Sequence, residues 1–255
     1  MATNEIFDRV ADEWWSDSSW LSILRTGMNE GRFGYFRRVL TERGVDPRGC
    51  RALDVGCGGG FLAEELARLG CQVTGVDLSE ATLQVARAHA ARGGLEIEYR
   101  RASGDALPFS DASFDLVYCC DVLEHVPDVE RVVRESARVL RPGGIYLFDT
   151  INRTVRSNLI AIKILQEWAA LVPREVHDWK MFIKPDELRQ TLTHSGLEPQ
   201  AVVGLKPLIA PWQLGRLVWA HRRGRMSFAE LGRRLEIGES GDVSVSYMGH
   251  AWKPA

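Results

Sequence analysis

The sequence lacks any uninterrupted apolar run of the roughly 18 to 20 residues that a spanning helix requires. The nearest stretch, NLIAIKILQEWAALV at 158–172, is broken by Lys163, Gln166 and Glu167, too often for a bilayer crossing. Neither sign of charge dominates: a net charge of −2 and a pI near 6.3 imply no global attraction to nucleic acid, so any basic partner surface must be local. Cysteine is sparse and unpatterned. Cys50, Cys57, Cys71, Cys119 and Cys120 are odd in number and include no C-x2-C pair, and MATNEIFDRV carries no positive region followed by an apolar one. A reducing cytoplasm without export is the expectation. Internal repeats and low-complexity segments are also missing.

What is present is a chain of 255 residues, 45% hydrophobic and 26% charged, enough to bury one large core. From residue 50 onward short apolar runs alternate with amphipathic helical patterns. RALDV (51–55) enters a Gly-rich turn, FLAEELARLG (61–70) has helical spacing and stops at a glycine, and CQVTGVD (71–77) is a second strand. EATLQVARAHAARGG (80–94) reads as a helix with Ser79 as its N-cap; EIEYR, FDLVYCC and GIYLFDT read as strands, with VERVVRESARVL as the helix before the last. This alternation predicts an α/β fold with a mostly parallel sheet covered on both faces.

A single domain is expected, in four segments. Residues 1–45, rich in aromatics such as Phe7, Trp14, Trp15 and Trp20, form a helical cap that finishes the core or lids a pocket, and 46–150 form the central α/β unit. Residues 151–196 are expected to be a lid and substrate segment, with an amphipathic stretch (158–172) and a helix (185–196). In 197–255, EPQAVVGL, a basic insert (206–234) and the alternating DVSVSYMGHAW suggest an antiparallel hairpin closing one edge of the sheet.

LDVGCGGG (53–60) sets glycines between a strand and a helix, where they permit a tight turn and close approach of a ligand. Phe61 stands where the dinucleotide pattern G-x-G-x-x-G needs its last glycine, which counts against a nicotinamide or flavin cofactor. Asp54 would repel a pyrophosphate but tolerate a cationic amino-acid ligand. Asp77, at the end of the second strand, suits two ribose hydroxyls, and Asp105 with Ala106 and Leu107 suits an adenine ring and its amino group.

Taken together, LDVGCGGG, VTGVD, GDALPF, FDLV and VLRPGG resemble the class I S-adenosylmethionine-dependent methyltransferases. RVADEWW, GRFGYF, LQVARAHA, LEHVPD, DTINRT, VPREVHDWKMFIKP and VSYM are similar to one branch, the demethylubiquinol O-methyltransferases of quinone biosynthesis, which also act on polyprenyl-hydroxyphenols. The resemblance implies a Rossmann-like, mostly parallel seven-stranded sheet and S-adenosyl-L-methionine as cofactor. It implies that Arg32 meets the methionine carboxylate, that Gly56 approaches the cofactor's backbone, that Asp77 holds the ribose, and that Cys120 contacts the cofactor. Asp54, Gly58, Leu78, Asp105 and Ala106 complete the expected cofactor site; Trp14, Trp15, Asn152 and Trp179 are the expected acceptor pocket.

A phenol has a pKa of about 10 and needs a base, a positive neighbour or a metal to react at neutral pH. Two sets of residues offer this. Asp121, Glu124 and His125 could hold Mg2+ through oxygen and nitrogen, as the resemblance implies for E-x-x-E-H positions, although aspartate replaces the first glutamate here; L-E-H-V also occurs in relatives that use no metal. His125 or His177, the latter beside Asp178, could instead take the proton.

The expected activity is thus O-methylation of a phenol or catechol, a polyprenylated quinol precursor first of all, with a soluble natural-product phenol as the alternative and a non-catalytic cofactor-binding scaffold as a third reading. The expected seat is cytoplasmic, with a peripheral position at the inner face of the membrane if 158–172 and the Trp-bearing basic insert meet anionic lipid rather than core and solvent. No nucleic-acid partner is expected, and the oligomeric state is open.

Overall fold

The computed structural model describes residues 2–168 and 171–255, with side chains from Glu5 onward. Nine strands among the described residues form one sheet: β1 Arg51–Val55, β2 Gln72–Asp77, β3 Ile97–Arg101, β4 Phe114–Cys119, β5 Leu140–Ile151, β6 Glu198–Pro199, β7 Val203–Pro207, β8 Ile237–Ser240 and β9 Ser246–Trp252. Their order is β3-β2-β1-β4-β5-β9-β7-β8, with β6 beside β9. The first five strands pair in parallel; β9, β7 and β8 run antiparallel to their neighbours.

Alternation along the inner strands divides the core between the two faces. Ala52, Leu116 and Tyr118 join the cluster holding Phe36, Leu66 and Leu83. Leu53, Val117 and Cys119 point the other way, among Val133, Tyr146 and Phe148. With both faces buried, these strands read as continuous apolar runs, as a helix-covered parallel sheet requires. Ser79 caps the helix Glu80–Arg92 as expected, its Oγ accepting from the Thr82 amide at 3.1 Å.

The C-terminal third differs from the seven-stranded expectation. EPQAVVGL is not one strand but two short ones, β6 and β7, interrupted at 200–202. The basic insert forms the helices Pro211–Arg222 and Phe228–Arg234 and then returns as β8, which pairs with β7 from Pro207↔Ile237 to Gly204↔Ser240. β9 is therefore an inner strand, bonded to β5 on one side and to β6 and β7 on the other, with Tyr247, Met248 and Ala251 buried. Its alternating pattern had suggested an edge.

Near the N-terminus a π-helical turn, Leu24–Met28, runs directly into the helix Asn29–Glu42. Phe36 of that helix packs edge-on against Tyr118 of β4 at 5.1 Å between ring centroids. The contact packs the helix on one face of the sheet, with Arg32 near its start at the carboxyl ends of the strands, where open α/β sheets bind their ligands. No described helix is long and apolar enough to cross a membrane.

Candidate active site

A largely apolar cavity of about 430 Å³ opens at this end of the sheet. Its floor is the turn after β1. Gly56 (φ +72°) and Gly58 (φ +50°) adopt left-handed conformations. A Cβ would lie 2.3 Å from Val122 Cγ2 at the first and 2.3 Å from a Trp14 ring carbon at the second. The amides of Gly56 and Cys57 donate to Val76 O, closing the turn onto β2.

Three carboxylates face this floor. Asp77 is held by two backbone amides, Gly58 N to Oδ2 at 3.0 Å and Ser79 N to Oδ1 at 2.9 Å. Asp105 accepts from Ser103 Oγ. Asp54 is buried with Oδ2 unpartnered, and burial raises its pKa to about 7 against the opposing pull of Arg32. Leu78 and Cys120 also line the cavity; Ala106 does not, a departure from expectation explained by the turn that points Asp105 inward.

Arg32 reaches the same cavity from the helix Asn29–Glu42 but arrives already engaged. Its Nη1 donates to Asn29 Oδ1 at 2.8 Å, its Nη2 to Asp121 Oδ2 at 2.6 Å, and its Nε lies 2.5 Å from Asp149 Oδ2. Burial opposes the guanidinium's charge, but the paired aspartates outweigh it and raise its pKa. Asp121 takes a left-handed φ of +55°, and its amide donates to Asp149 Oδ1 at 2.8 Å. Asp149, at the carboxyl end of β5, was not anticipated. An acid closing the otherwise apolar run GIYLFDT was the available signal.

These contacts overturn the metal reading of Asp121, Glu124 and His125. Among the described residues no three His, Cys, Asp or Glu side chains converge as a metal site. The Asp121 carboxylate is committed to a cation, Arg32. Glu124 is turned into the protein, 2% exposed, where its Oε2 accepts from Thr150 Oγ1 at 2.8 Å. Burial first, and then Asp121 and Asp149, raise its pKa to about 8, so it is largely protonated at neutral pH. A neutral acid beside a paired carboxylate is a poor donor set for Mg2+.

His125 and His177 do come together in the cavity wall, with ring centroids 5.4 Å apart and planes 19° from parallel. Burial depresses them to about 4 and about 3, so both are neutral at physiological pH. Of the expected acceptor pocket only Trp14 lines the cavity. Trp15 stacks on His89 at 3.3 Å and donates to Gly59 O at 3.0 Å. The Asn152 amide bonds Val243 O at 2.9 Å, and Trp179 Nε1 bonds Thr154 O at 2.9 Å. Phe7, Trp20, Leu24, Val172 and Val176 take the places those residues were expected to fill.

Glu124 gives a pH test. Its pKa is raised from 4.5 to about 8, so above 4.5 the unfolded chain releases a proton that the folded state keeps. The stability it contributes is complete below 4.5 and is lost as pH rises through about 8. Glu124→Gln cannot titrate, so its urea midpoint should gain on the native chain's between about pH 5 and about pH 9. An offset that stays constant over that interval would contradict the burial argument.

Comparison with known proteins agrees with this architecture. A family model described as a methyltransferase domain matches residues 53–148. The ubiquinone biosynthesis O-methyltransferase of Alkalilimnicola ehrlichii is 42% identical over 245 residues, covering 96% of this chain and 88% of that protein. That of Hahella chejuensis is 38% identical over 251 residues, covering 97% and 92%. Among solved structures, a Haloferax volcanii methyltransferase in complex with its activator matches with a TM-score of 0.63 at 19% identity, over 98% of each chain. Magnesium protoporphyrin IX methyltransferase from Synechocystis, with bound SAH, matches at 0.56 and 18%, over 86% of this chain and 81% of that one. The solved structures speak for the fold; the sequence relatives, aligned from end to end, go further. The chain belongs to the ubiquinone biosynthesis O-methyltransferase family, within the S-adenosylmethionine-dependent methyltransferases of Rossmann-like fold.

Proposed function

We propose that the protein transfers the methyl group of S-adenosylmethionine to a phenolic or catechol oxygen of a polyprenylated quinol precursor. The observation that carries this reading is the meeting, in one largely apolar cavity, of an acid-lined glycine turn and two neutral histidines.

The acid-lined floor fits the cofactor. The unpartnered Oδ2 of Asp54 suits the amino group of its methionine part, and Asp77, already fixed by two amides, keeps acceptor capacity for the ribose hydroxyls. Asp105 is assigned the adenine amino group. Gly56, Gly58, Leu78 and Cys120 shape the wall. Arg32 retains N–H groups beyond its three protein contacts for the methionine carboxylate, so it serves two purposes at once. When bound, the cofactor supplies a sulfonium whose methyl carbon is already electrophilic.

The residues of this chain then have two tasks. The apolar wall excludes water and aligns the acceptor oxygen for in-line attack, which asks for reacting atoms roughly 3 to 3.5 Å apart. The proton of the acceptor hydroxyl becomes acidic as the new O–C bond forms and passes to a base, and His177 is assigned that role because it is neutral and lines the cavity. His125, stacked on it, holds the acceptor's other edge. No step is routed through a metal, since Asp121 is paired with Arg32 and Glu124 is turned into the protein.

An isoprenoid acceptor resides in a membrane, and one face of the protein suits that source. Trp168, Trp212, Trp219, Leu159 and Leu208 are exposed. Arg222 lies over the Trp168 ring, Arg216 over Trp212, and Arg223 and Arg225 over Trp219. Indole rings with adjoining guanidinium groups favour the interface of anionic lipid, at roughly 1 kcal/mol per basic residue. Peripheral binding at the inner face of the membrane follows from this reading.

Two experiments test it. Product mass spectrometry with demethylated quinols, catechols and small phenols should show methylation of the prenylated quinol that persists after exhaustive chelation. In the same assay His177→Ala should lower kcat by about 100-fold or more while calorimetric cofactor affinity holds. Turnover abolished by chelation and restored by Mg2+ would reject the metal-free route. In flotation, anionic liposomes should carry the native protein, and a quadruple Arg216, Arg222, Arg223 and Arg225→Gln variant should stay behind. Native protein that never floats would remove the membrane assignment.

A further inference from the structure

We infer that Gln166 is a positioning residue that locks His177 in the tautomer protonated at Nδ1, leaving Nε2 as the ring's only free acceptor. The inference deepens the reading of His177 as proton acceptor and rests on it for its catalytic consequence.

Gln166 interrupts the apolar run of the helix Asn158–Trp168, yet it is 2% exposed. The neighbouring polar residues Lys163 and Glu167 pair with each other in solvent, so Gln166 alone turns inward. A buried primary amide must satisfy both its ends. Its Nε2 donates to Arg174 O at 3.1 Å and lies 3.5 Å from His177 O. Its Oε1 sits 2.6 Å from His177 Nδ1.

The logic runs from carbonyls to ring. The Arg174 and His177 carbonyl oxygens only accept, so the amide must present its NH2 to them and its oxygen to the imidazole. An amide oxygen also only accepts, so a 2.6 Å contact requires the proton on Nδ1. A flip of the amide would set oxygen against two carbonyl oxygens, and the other tautomer would set a ring lone pair against Oε1. Each alternative strands polar atoms in a buried place. The neighbouring carboxylate does not compete for the ring: Asp178 Oδ1 accepts from the Lys180 amide at 2.9 Å and caps the short turn Trp179–Met181.

Among the described residues, few other groups bear on His177. His125 stacks on one side, Phe182 meets the ring edge-on at 6.0 Å, and Asp121 acts through its charge. Among the described residues none of these hydrogen-bonds the ring, so Gln166 is what selects the tautomer. The link also spans two segments, because Gln166 grips both the ring and the backbone of the loop that carries it. A neutral partner orients the base without adding a carboxylate to the cavity, in contrast to the Asp–His arrangement of serine hydrolases.

The test is direct observation of the tautomer. In full-length protein with 15N-labelled histidine, two-bond 1H–15N correlation spectra, assigned by the signal lost in His177→Gln, should show Nδ1–H in the native chain. Gln166→Leu removes the acceptor at similar size and should shift the ring toward Nε2–H. Its kcat should fall about 100-fold, with KM changed by no more than about twofold. Gln166→Glu, protonated on the oxygen that replaces Nε2 so that it still donates to the Arg174 carbonyl, keeps an acceptor at Nδ1 and should retain the Nδ1–H signal even if Gln166→Leu folds poorly. A native ring protonated at Nε2, or an Nδ1–H signal unchanged in Gln166→Leu, would overturn the lock. A tautomer that switches while kcat holds would instead reject His177 as the base and leave the lock standing.

Discussion

The cluster of Arg32, Asp121 and Asp149 is the constraint on which the site depends. It joins three parts of the chain that no local pattern connects: the helix Asn29–Glu42, the loop after β4 and the end of β5. A buried charge is tolerated only when paired and hydrogen-bonded, so this guanidinium can occupy only one place. The pairing adds little net stability beyond what apolar residues would give, because desolvation cancels much of the attraction. Its contribution is position. It holds Asp121 in a left-handed conformation that costs on the order of 1 to 3 kcal/mol, and it thereby directs the turn that carries His125 into the cavity wall.

The same cluster determines which chemistry is available. A carboxylate paired with arginine is a weakened ligand for a divalent cation, and burial, with Asp121 and Asp149 beside it, raises the pKa of Glu124 inside the protein. Two imidazoles, both kept neutral by burial, then stand in the largely apolar wall. The cavity is thus divided into an acidic floor, which fits a cationic cofactor, and a neutral wall, which fits a phenol. Methyl transfer needs such a division, since water or stray charge near the acceptor oxygen would blunt its alignment.

Much of this was legible in the sequence. Alternating apolar runs and helical patterns located β1 to β5, and LDVGCGGG with Asp77 located the end of the sheet where the cavity opens, because glycine turns and strand-end acids are local signals. What escaped was long-range or orientational. Arg32 and Asp121 lie 89 residues apart, and nothing near either one announces the pair. Trp15 and Trp179 are aromatic and near the cavity in sequence, but only tertiary packing decides which face a ring takes; the first stacks on His89 and the second bonds Thr154. Gln166 read as a flaw in an apolar stretch, whereas burial makes it a partner of His177. β9 read as an edge because alternation reports polarity, not position, and β8, which follows the insert, moved the edge outward.

The measurement that bears most directly on this account is a double-mutant cycle between Arg32 and Asp149, followed by urea unfolding and by calorimetric titration of the cofactor. Arg32→Met, which takes the shared cation from both aspartates, should cost about 3 to 5 kcal/mol of stability, and Asp149→Asn, which leaves Arg32 paired with Asp121, should cost less. The double variant should lose far less than the sum, while still binding the cofactor more weakly than the native chain. Additive losses in the cycle, or undiminished cofactor affinity in the double variant, would contradict the claim that this buried ion cluster positions the site.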